Sequence, residues 1–150
     1  MSHTFSNFLY HIVWSTKNRE PLIRKELKPR VHGYIRTVVN AEGANLLFIN
    51  GVDDHVHLLV ATPATMLIPS LVEKVKPTST KWFRRSFPEA TNFSWQEGYG
   101  AFTVAKSILP GVIKYIENQE EHHKTMTYKE EFLRFLDEQG IPYDPEHVFD

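Results

Sequence analysis

The spacing of apolar residues changes from strand-like to helix-like over the first third of the chain. Phe8 to Trp14 is dense in aromatic and β-branched residues and predicts a first strand, which the polar residues 15–20 end. Apolar residues then recur at steps of three and four, which predicts an amphipathic helix with Pro29 in its first turn and Gly43 at its end. The apolar positions of this helix are Leu27, Val31, Tyr34, Ile35 and Val38.

Two strands are predicted next to each other after this helix. Residues 44–50 form the first, and Asn50-Gly51 begins a short connection to the run from Asp53 to Val60. That run is apolar and β-branched enough to be a buried strand. Because the connection is so short, we expect the two strands to be antiparallel neighbours.

A second helix is marked by Leu67, Leu71 and Val75, and we expect Pro77 to kink or break it. Residues 93–104 contain two glycines among aromatic residues, which predicts a tight turn leading into a fourth strand.

Two more helices are predicted towards the C-terminus. Ser107 is a candidate N-cap for a helix from Ile108 to about His123. The sequence of residues 127–130 is a capping box that opens a last helix, which Gly140 and Pro142 end.

The element order β-α-β-β-α-β-α-α predicts an α+β fold. We expect an antiparallel sheet of four or more strands with the first two helices on one face, close to the ferredoxin-like split βαβ plan. One domain should span residues 1–150, with a core at about 8–126 and a C-terminal helix and tail at about 127–150.

Two histidines stand out in the predicted third strand. Side chains alternate between the faces of a strand, so His55 and His57 point the same way, with Val56 on the other face. Two neutral imidazoles at this spacing can share a divalent ion, which would favour a carboxylate or carboxamide as a third ligand. The same pattern fits two hydrogen-bonded structural histidines.

Composition excludes several classes of site and location. The 150 residues include no cysteine, which excludes thiolate metal sites and cysteine nucleophiles and fits a reducing compartment. No window reaches the ~18 uninterrupted apolar residues of a membrane span, and residues 1–7 lack the regions of a signal peptide. We therefore expect a cytoplasmic protein without a membrane partner.

The net charge of −1 hides an uneven distribution. Residues 1–90 carry 12 Lys/Arg and 7 Asp/Glu, whereas residues 91–150 carry 5 and 11. The region around Pro77 mixes cations with hydroxyls and aromatic rings, a combination that can hold a phosphate backbone and stack unpaired bases. The candidate nucleic-acid contacts are Lys74, Lys76, Lys81, Trp82, Arg84 and Arg85. A solvated basic helix face with its aromatic residues in the core would look the same.

The predicted helix from Ile108 to about His123 carries a polar stripe. Tyr115 and Gln119 are four residues apart and His122 is three further on, so they lie along one side of the helix. Such a helix can present a phenol and a carboxamide to the histidine face of the sheet. A partly buried packing tyrosine with a solvated hydroxyl is the plainer interpretation.

These residues give the chain a resemblance to a known family. It resembles the single-tyrosine transposases of the HUH endonuclease superfamily, which serve small insertion sequences that move as single-stranded DNA and include the REP-associated tyrosine transposases. The matching stretches are His11 to Arg19, Asp54 to Val60, Trp95 to Phe102 and Tyr115 to His123, in the order and spacing of the family. The resemblance covers about residues 8–131, and the acidic tail beyond it matches none of the motifs.

The resemblance implies roles for four residues. His55 and His57 would bind a divalent metal, Mg²⁺ or Mn²⁺, and Gln119 would complete the metal site. Tyr115 would be the nucleophile. The implied partners are single-stranded DNA with hairpin ends and a second copy of the chain in a homodimer. The chain departs from the expected pattern at Lys76-Pro77-Thr78, where small residues should follow the lysine.

The implied reaction is the cleavage and rejoining of single-stranded DNA. Tyr115 would attack a phosphodiester, release a 3′-hydroxyl and keep the 5′-phosphate as a covalent phosphotyrosine. Because the energy of the bond is conserved, rejoining would need no nucleotide cofactor.

Other functions stay open at this point. A domesticated relative could act on genomic palindromic repeats, and a binding module could keep the fold without cutting DNA. A metal-dependent hydrolase that uses water would keep the histidines but have no need of Tyr115. Tyr128 or Tyr143 could replace it as nucleophile, although neither has a carboxamide four residues later.

Overall fold

A computed structural model describes residue 3 and residues 5–150 of the chain. It consists of one antiparallel sheet and five α-helices. The strands are β1 (Phe8–Ser15), β2 (Asn45–Val52), β3 (His55–Thr62) and β4 (Gly100–Thr103). The helices are α1 (Lys28–Ala41), α2 (Ile68–Ser86), α3 (Leu109–Glu117), α4 (Gln119–His122) and α5 (Tyr128–Glu138). The strand order is β2-β3-β1-β4 with antiparallel pairing throughout, so the predicted α+β fold with a four-stranded antiparallel sheet is confirmed.

The two faces of the sheet carry different layers. Ile12, Trp14 and Leu58 point to one face, where α1 and α2 cover them in the largest apolar cluster. Val13 and Leu59 point to the other face, which α3 and α5 cover with two smaller clusters. Because side chains alternate along a strand, the odd-numbered residues of β1 and β3 all face α3 and α5. The histidines of β3 are among them.

Helix α2 runs without a break through Pro77, so the predicted interruption is wrong. A proline inside a helix removes one hydrogen bond and costs about 3 kcal/mol. Pro77 lies on the exposed side of α2. A stripe of buried side chains runs along the helix before and after it, and the burial of these side chains offsets the cost of the lost hydrogen bond. The buried residues of the helix are Leu71, Val72, Val75, Ser79 and Phe83.

The helix predicted from Ile108 to about His123 is divided in two. Ser107 does not cap it but lies in a 3-10 turn, and α3 begins at Leu109 with Pro110 in its first turn. Helix α3 ends at Asn118, where φ is −93° and ψ is 25°. The side chain of Asn50 on β2 donates to the carbonyls of Ile116 and Glu117, at 2.9 and 3.1 Å. These bonds satisfy the last carbonyls of α3, so the next turn, α4, does not have to continue in the direction of α3.

The predicted ends of two helices are confirmed. Gly43 follows α1 with φ of 97°, a conformation that glycine adopts without steric cost. Thr127 opens α5 with a complete capping box, in which its side chain and that of Glu130 each accept from the other's backbone N–H. Within the described part of the chain, no helix is both long and apolar enough to cross a membrane.

Candidate active site

The two histidines of β3 turn one nitrogen each towards a common point. Both side chains are fully buried and their ring centroids lie 5.0 Å apart. Nδ1 of His55 is 2.7 Å from Asp54 Oδ1, and Nδ1 of His57 is 2.7 Å from Nε2 of the buried His11 on β1. Since each Nδ1 has a partner, the Nε2 atoms are the ones left to face the interior of the site.

Side chains from α4, α5 and the loop between them meet these Nε2 atoms. Gln119 Oε1 lies 2.9 Å from His55 Nε2, and Glu131 Oε1 lies 2.9 Å from His57 Nε2. His123 Nε2 is 3.1 Å from the Gln119 oxygen and 3.2 Å from the Glu131 oxygen. We call these five residues the donor cluster. Imidazole, carboxylate and carboxamide groups that converge in a buried site fit a divalent cation.

Glu131 lies at the centre of the donor cluster. Its side chain is 1% exposed and its Oε2 accepts hydrogen bonds from the Tyr115 hydroxyl and from Gln119 Nε2, the latter at 3.2 Å. Burial alone would raise the pKa of the Glu131 carboxyl, but hydrogen bonds from His123, His55 and His57 outweigh it and hold the pKa well below the usual range. The carboxylate is therefore ionised.

The histidines of the cluster differ in their affinity for protons. Burial opposes the protonation of His55, but hydrogen bonds to Asp54 and Glu131 outweigh it and raise its pKa to about 9. Burial lowers the pKa of His57. Burial and the neighbouring His57 lower the pKa of His11 to about 3, so His11 stays neutral. A metal that binds through His55 would have to displace a proton from its imidazole.

Tyr115 lies at the rim of the donor cluster. Its half-buried ring stacks on His122, with centroids 4.6 Å apart, and lies 6.2 Å from the ring of His57. Burial and the neighbouring Glu131 carboxylate raise the pKa of the Tyr115 phenol. The hydroxyl is thus protonated in the absence of a cation and is held beside the cluster by Glu131.

The two other tyrosines considered as nucleophiles are held differently. Tyr128 is buried, and its hydroxyl donates to Gln96 Oε1 at 3.0 Å. The hydroxyl of Tyr143 donates to Asp137 Oδ1 at 3.1 Å, on the outer side of α5. Among these three tyrosines, the hydroxyl of Tyr115 is the one bonded to the donor cluster.

The candidate nucleic-acid contacts lie on α2, across the sheet from the donor cluster. Lys76 is half-buried, and its Nζ donates to the carbonyls of Gln96, Glu97 and Gly98 at 2.9, 3.2 and 2.5 Å. Burial lowers its pKa to about 8. These bonds give Lys76 a structural role in holding the loop before β4.

The remaining members of this set differ in what they contact. Trp82 stacks on Tyr34 of α1, with centroids 4.5 Å apart, and Arg84 Nε donates to the carbonyl of Phe93 at 2.7 Å. Lys74, Lys81 and Arg85 are exposed and recur at steps of seven and four. That spacing places the three cations along one stripe of α2, which we call the basic stripe.

The sequence predicted the strand of His55 and His57 and a helix at Tyr115, but it put Gln119 on that same helix, whereas the structure places it on α4. It missed Glu131, His123 and His11. His123 follows Gln119 by four residues, one helical turn, and that spacing was a usable signal. Glu131 has no such local signal, because it lies 74 residues from its partner His57.

Known proteins similar in sequence to this chain are transposases. A family model described as "Transposase IS200 like" matches residues 4–119. The ISDra2 transposase TnpA of Deinococcus radiodurans is 25% identical over 117 residues, which cover 75% of this chain and 84% of that protein. The transposase for insertion sequence element IS200 of Salmonella typhimurium is 26% identical over 129 residues, covering 83% and 84%.

Two solved structures share the fold. A crystal structure of a Deinococcus radiodurans R1 protein described as a transposase superposes with a TM-score of 0.66 at 25% identity, covering 79% of this chain and 95% of that one. A REP-associated tyrosine transposase bound to a REP hairpin gives a TM-score of 0.61 at 14% identity, covering 82% and 74%. Since the family model matches well over half of the sequence, the chain belongs to the family of IS200-like transposases.

Proposed function

We propose that this transposase cuts and rejoins single-stranded DNA through a covalent 5′-phosphotyrosine at Tyr115, with a divalent cation held by His55, His57 and Gln119. The observation that carries the proposal is the hydroxyl of Tyr115, which is bonded to a carboxylate that also contacts both histidines. A nucleophile and a cation site thus share one small region.

The residues of the site would divide the work of phosphoryl transfer. Mg²⁺ or Mn²⁺, when bound, withdraws charge from the non-bridging phosphate oxygens. Asp54 and His11 keep the ligand nitrogens of His55 and His57 turned inward. Stacking on His122 and the bond to Glu131 orient the Tyr115 hydroxyl, which matters because the attacking oxygen must be in line with the bond that breaks.

The bonds formed and broken balance without a further reactant. The Tyr115 oxygen bonds to phosphorus and loses its proton, while the bond from phosphorus to the 3′-oxygen breaks and that oxygen takes up a proton. Attack by a 3′-hydroxyl on the phosphotyrosine reverses the step and joins strands. No nucleotide cofactor is needed.

The test is to capture the covalent intermediate. With Mn²⁺ and 3′-labelled single-stranded oligonucleotides from the DNA flanking its gene, wild-type protein should acquire a labelled DNA segment that survives a denaturing gel. This segment is the part of the strand on the 3′ side of the cut, joined to the protein through its 5′-phosphate. The same oligonucleotides annealed to their complements, or mixed with a chelator, should give no adduct. If no flanking strand yields an adduct with either Mg²⁺ or Mn²⁺, the phosphotyrosine proposal is wrong.

We also propose that single-stranded DNA with hairpin ends is bound along the basic stripe. Its three cations are exposed, and the neighbouring Tyr34 and Trp82 add aromatic surface. The neighbouring Lys76 and Arg84 hold backbone carbonyls through their side-chain nitrogens and would contribute less to DNA contacts.

Charge reversal within the basic stripe should weaken binding. The double variant Lys81→Glu with Arg85→Glu should lower single-strand affinity and reduce the slope of log affinity against log salt by roughly 0.7 for each lost phosphate contact. A fluorescence titration over a range of salt concentrations measures both quantities. The matched control, Lys124→Glu with Lys129→Glu, makes the same change in net charge on the other side of the sheet. Equal slopes for the two double variants would remove the stripe from the DNA contacts.

The homodimer implied by the family resemblance remains part of the proposal. Within one described chain, Tyr115 and His57 already bond to the same Glu131 side chain. This contact supports a site in which the nucleophile and the metal ligands come from the same subunit.

A further inference from the structure

We propose that Glu131 of α5 is itself a ligand of the divalent cation, so that the C-terminal helix adds a carboxylate to the two histidines and the carboxamide of Gln119. This inference rests on the cation of the proposed function. It adds a ligand from a segment that begins after the last residue of the family match, Gln119.

The distances around Glu131 fit a coordination sphere. Its Oε1 lies 2.9 Å from His57 Nε2, 3.4 Å from His55 Nε2 and 3.2 Å from His123 Nε2. Ligands bound at ~2.1 Å around a Mg²⁺ ion in octahedral geometry lie roughly 3 Å from one another. One donor atom from each of these four residues falls within 4.8 Å of the others. A small outward movement of these four donor atoms from the point between them would therefore make room for the ion.

The charge of the site points the same way. The Glu131 side chain is only 1% exposed, and a carboxylate in such a position is costly unless a positive charge compensates it. The side chains in contact with it are imidazoles, a phenol and a carboxamide. The imidazoles of His57 and His123 lie 2.9 and 3.2 Å from the same Glu131 oxygen, and a divalent cation bound among these side chains would supply the compensating charge.

Glu131 also fixes the orientation of another ligand candidate. The Gln119 amide donates its Nε2 to Glu131 Oε2, and this bond leaves Gln119 Oε1 facing the Nε2 atoms of His55 and His123. A carboxamide binds a hard cation through its oxygen. Glu131 thus presents one oxygen to the cation position and uses the other to hold both Gln119 and Tyr115.

The position of Glu131 follows from the start of α5. The capping box at Thr127 fixes the first turn of the helix, and Glu131 N donates to the Thr127 carbonyl at 3.0 Å. Phe132 and Leu136 anchor the following turns against the sheet. A cation bound by Glu131 would therefore tie α5 to β3.

Calorimetry with Mn²⁺ and no DNA tests the assignment. Glu131→Gln keeps the shape of the side chain and removes its charge, so we expect Mn²⁺ to bind at least tenfold more weakly than to wild type. The control Glu138→Gln, an exposed position on the same helix, should bind as wild type does. Thermal unfolding gives a second measure, since Mn²⁺ should raise the Tm of wild type much more than that of Glu131→Gln.

Unchanged or tighter Mn²⁺ binding by Glu131→Gln would overturn the proposal, because the loss of a charged ligand must weaken the binding of the cation. If Glu131→Gln fails to fold, Glu131→Asp is used instead. The aspartate retains the charge, but its side chain is one methylene shorter, so its oxygens lie farther from the cation position. Its Mn²⁺ affinity should fall below that of wild type, and equal affinity would remove Glu131 from the ligands. Absence of Mn²⁺ binding by wild type would instead refute the cation of the proposed function.

Discussion

Tyr115→Phe is expected to abolish the covalent protein–DNA adduct while DNA affinity changes by less than about twofold. The substitution removes one oxygen, and the ring can keep its stack on His122. The lost hydrogen bond to the Glu131 carboxylate should lower the free energy of unfolding by about 1.5–3 kcal/mol. A denaturing gel with a 3′-labelled strand measures the adduct, because the segment on the 3′ side of the cut stays on the protein, and gel shift without metal measures affinity.

The chain offers a matched control for this variant. Tyr128→Phe also removes a hydroxyl next to the site, one that donates to Gln96. If Tyr115 is the nucleophile, Tyr128→Phe should still form the adduct. Adduct formation by Tyr115→Phe at the wild-type rate would assign the attack to another residue, and strand cleavage without any adduct would assign it to water.

His57→Ala is expected to lower Mn²⁺ affinity by more than a hundredfold and to bring strand cleavage below detection. It deletes a donor nitrogen and leaves both His11 and Glu131 without the partner they share. Because the side chain is fully buried, we also expect a loss of about 2–4 kcal/mol in the free energy of unfolding. Calorimetry and denaturant titration separate the two effects.

His32→Ala is the control for the burial of an imidazole. His32 is buried on α1, on the other side of the sheet, and burial lowers its pKa to about 4. Its removal should cost stability without reducing Mn²⁺ affinity. Equal Mn²⁺ affinity for wild type and His57→Ala would remove the β3 histidines from the cation site.

Most of the secondary structure could be predicted because it depends on local patterns. Three short-range features carried these predictions: the apolar, β-branched runs of β1 and β3, the apolar stripe of α1 and the capping box of α5. Two of the errors arose where tertiary contacts override the local pattern. At Pro77 the free energy gained by burying one side of α2 outweighs the cost of the lost hydrogen bond. At Asn118 the side chain of Asn50 ends a helix that the sequence alone would continue.

The candidate site was predictable only as far as its motifs reach. The His-x-His spacing fixes a relation within one strand, and the four-residue step from Tyr115 to Gln119 fixes one across the short break between α3 and α4. Glu131 and His11 reach His57 across 74 and 46 residues, and their contacts depend on how α5 and β1 pack. The face of the sheet that α2 covers depends in the same way on the packing of the whole chain.

The position of the basic stripe behind the sheet has a consequence for the length of the DNA. If DNA is held along Lys74, Lys81 and Arg85 while Tyr115 cuts it, the strand must pass around an edge of the sheet between the two points. The protein would then act as a ruler, with the number of nucleotides between the bound segment and the cut set by the thickness of the fold.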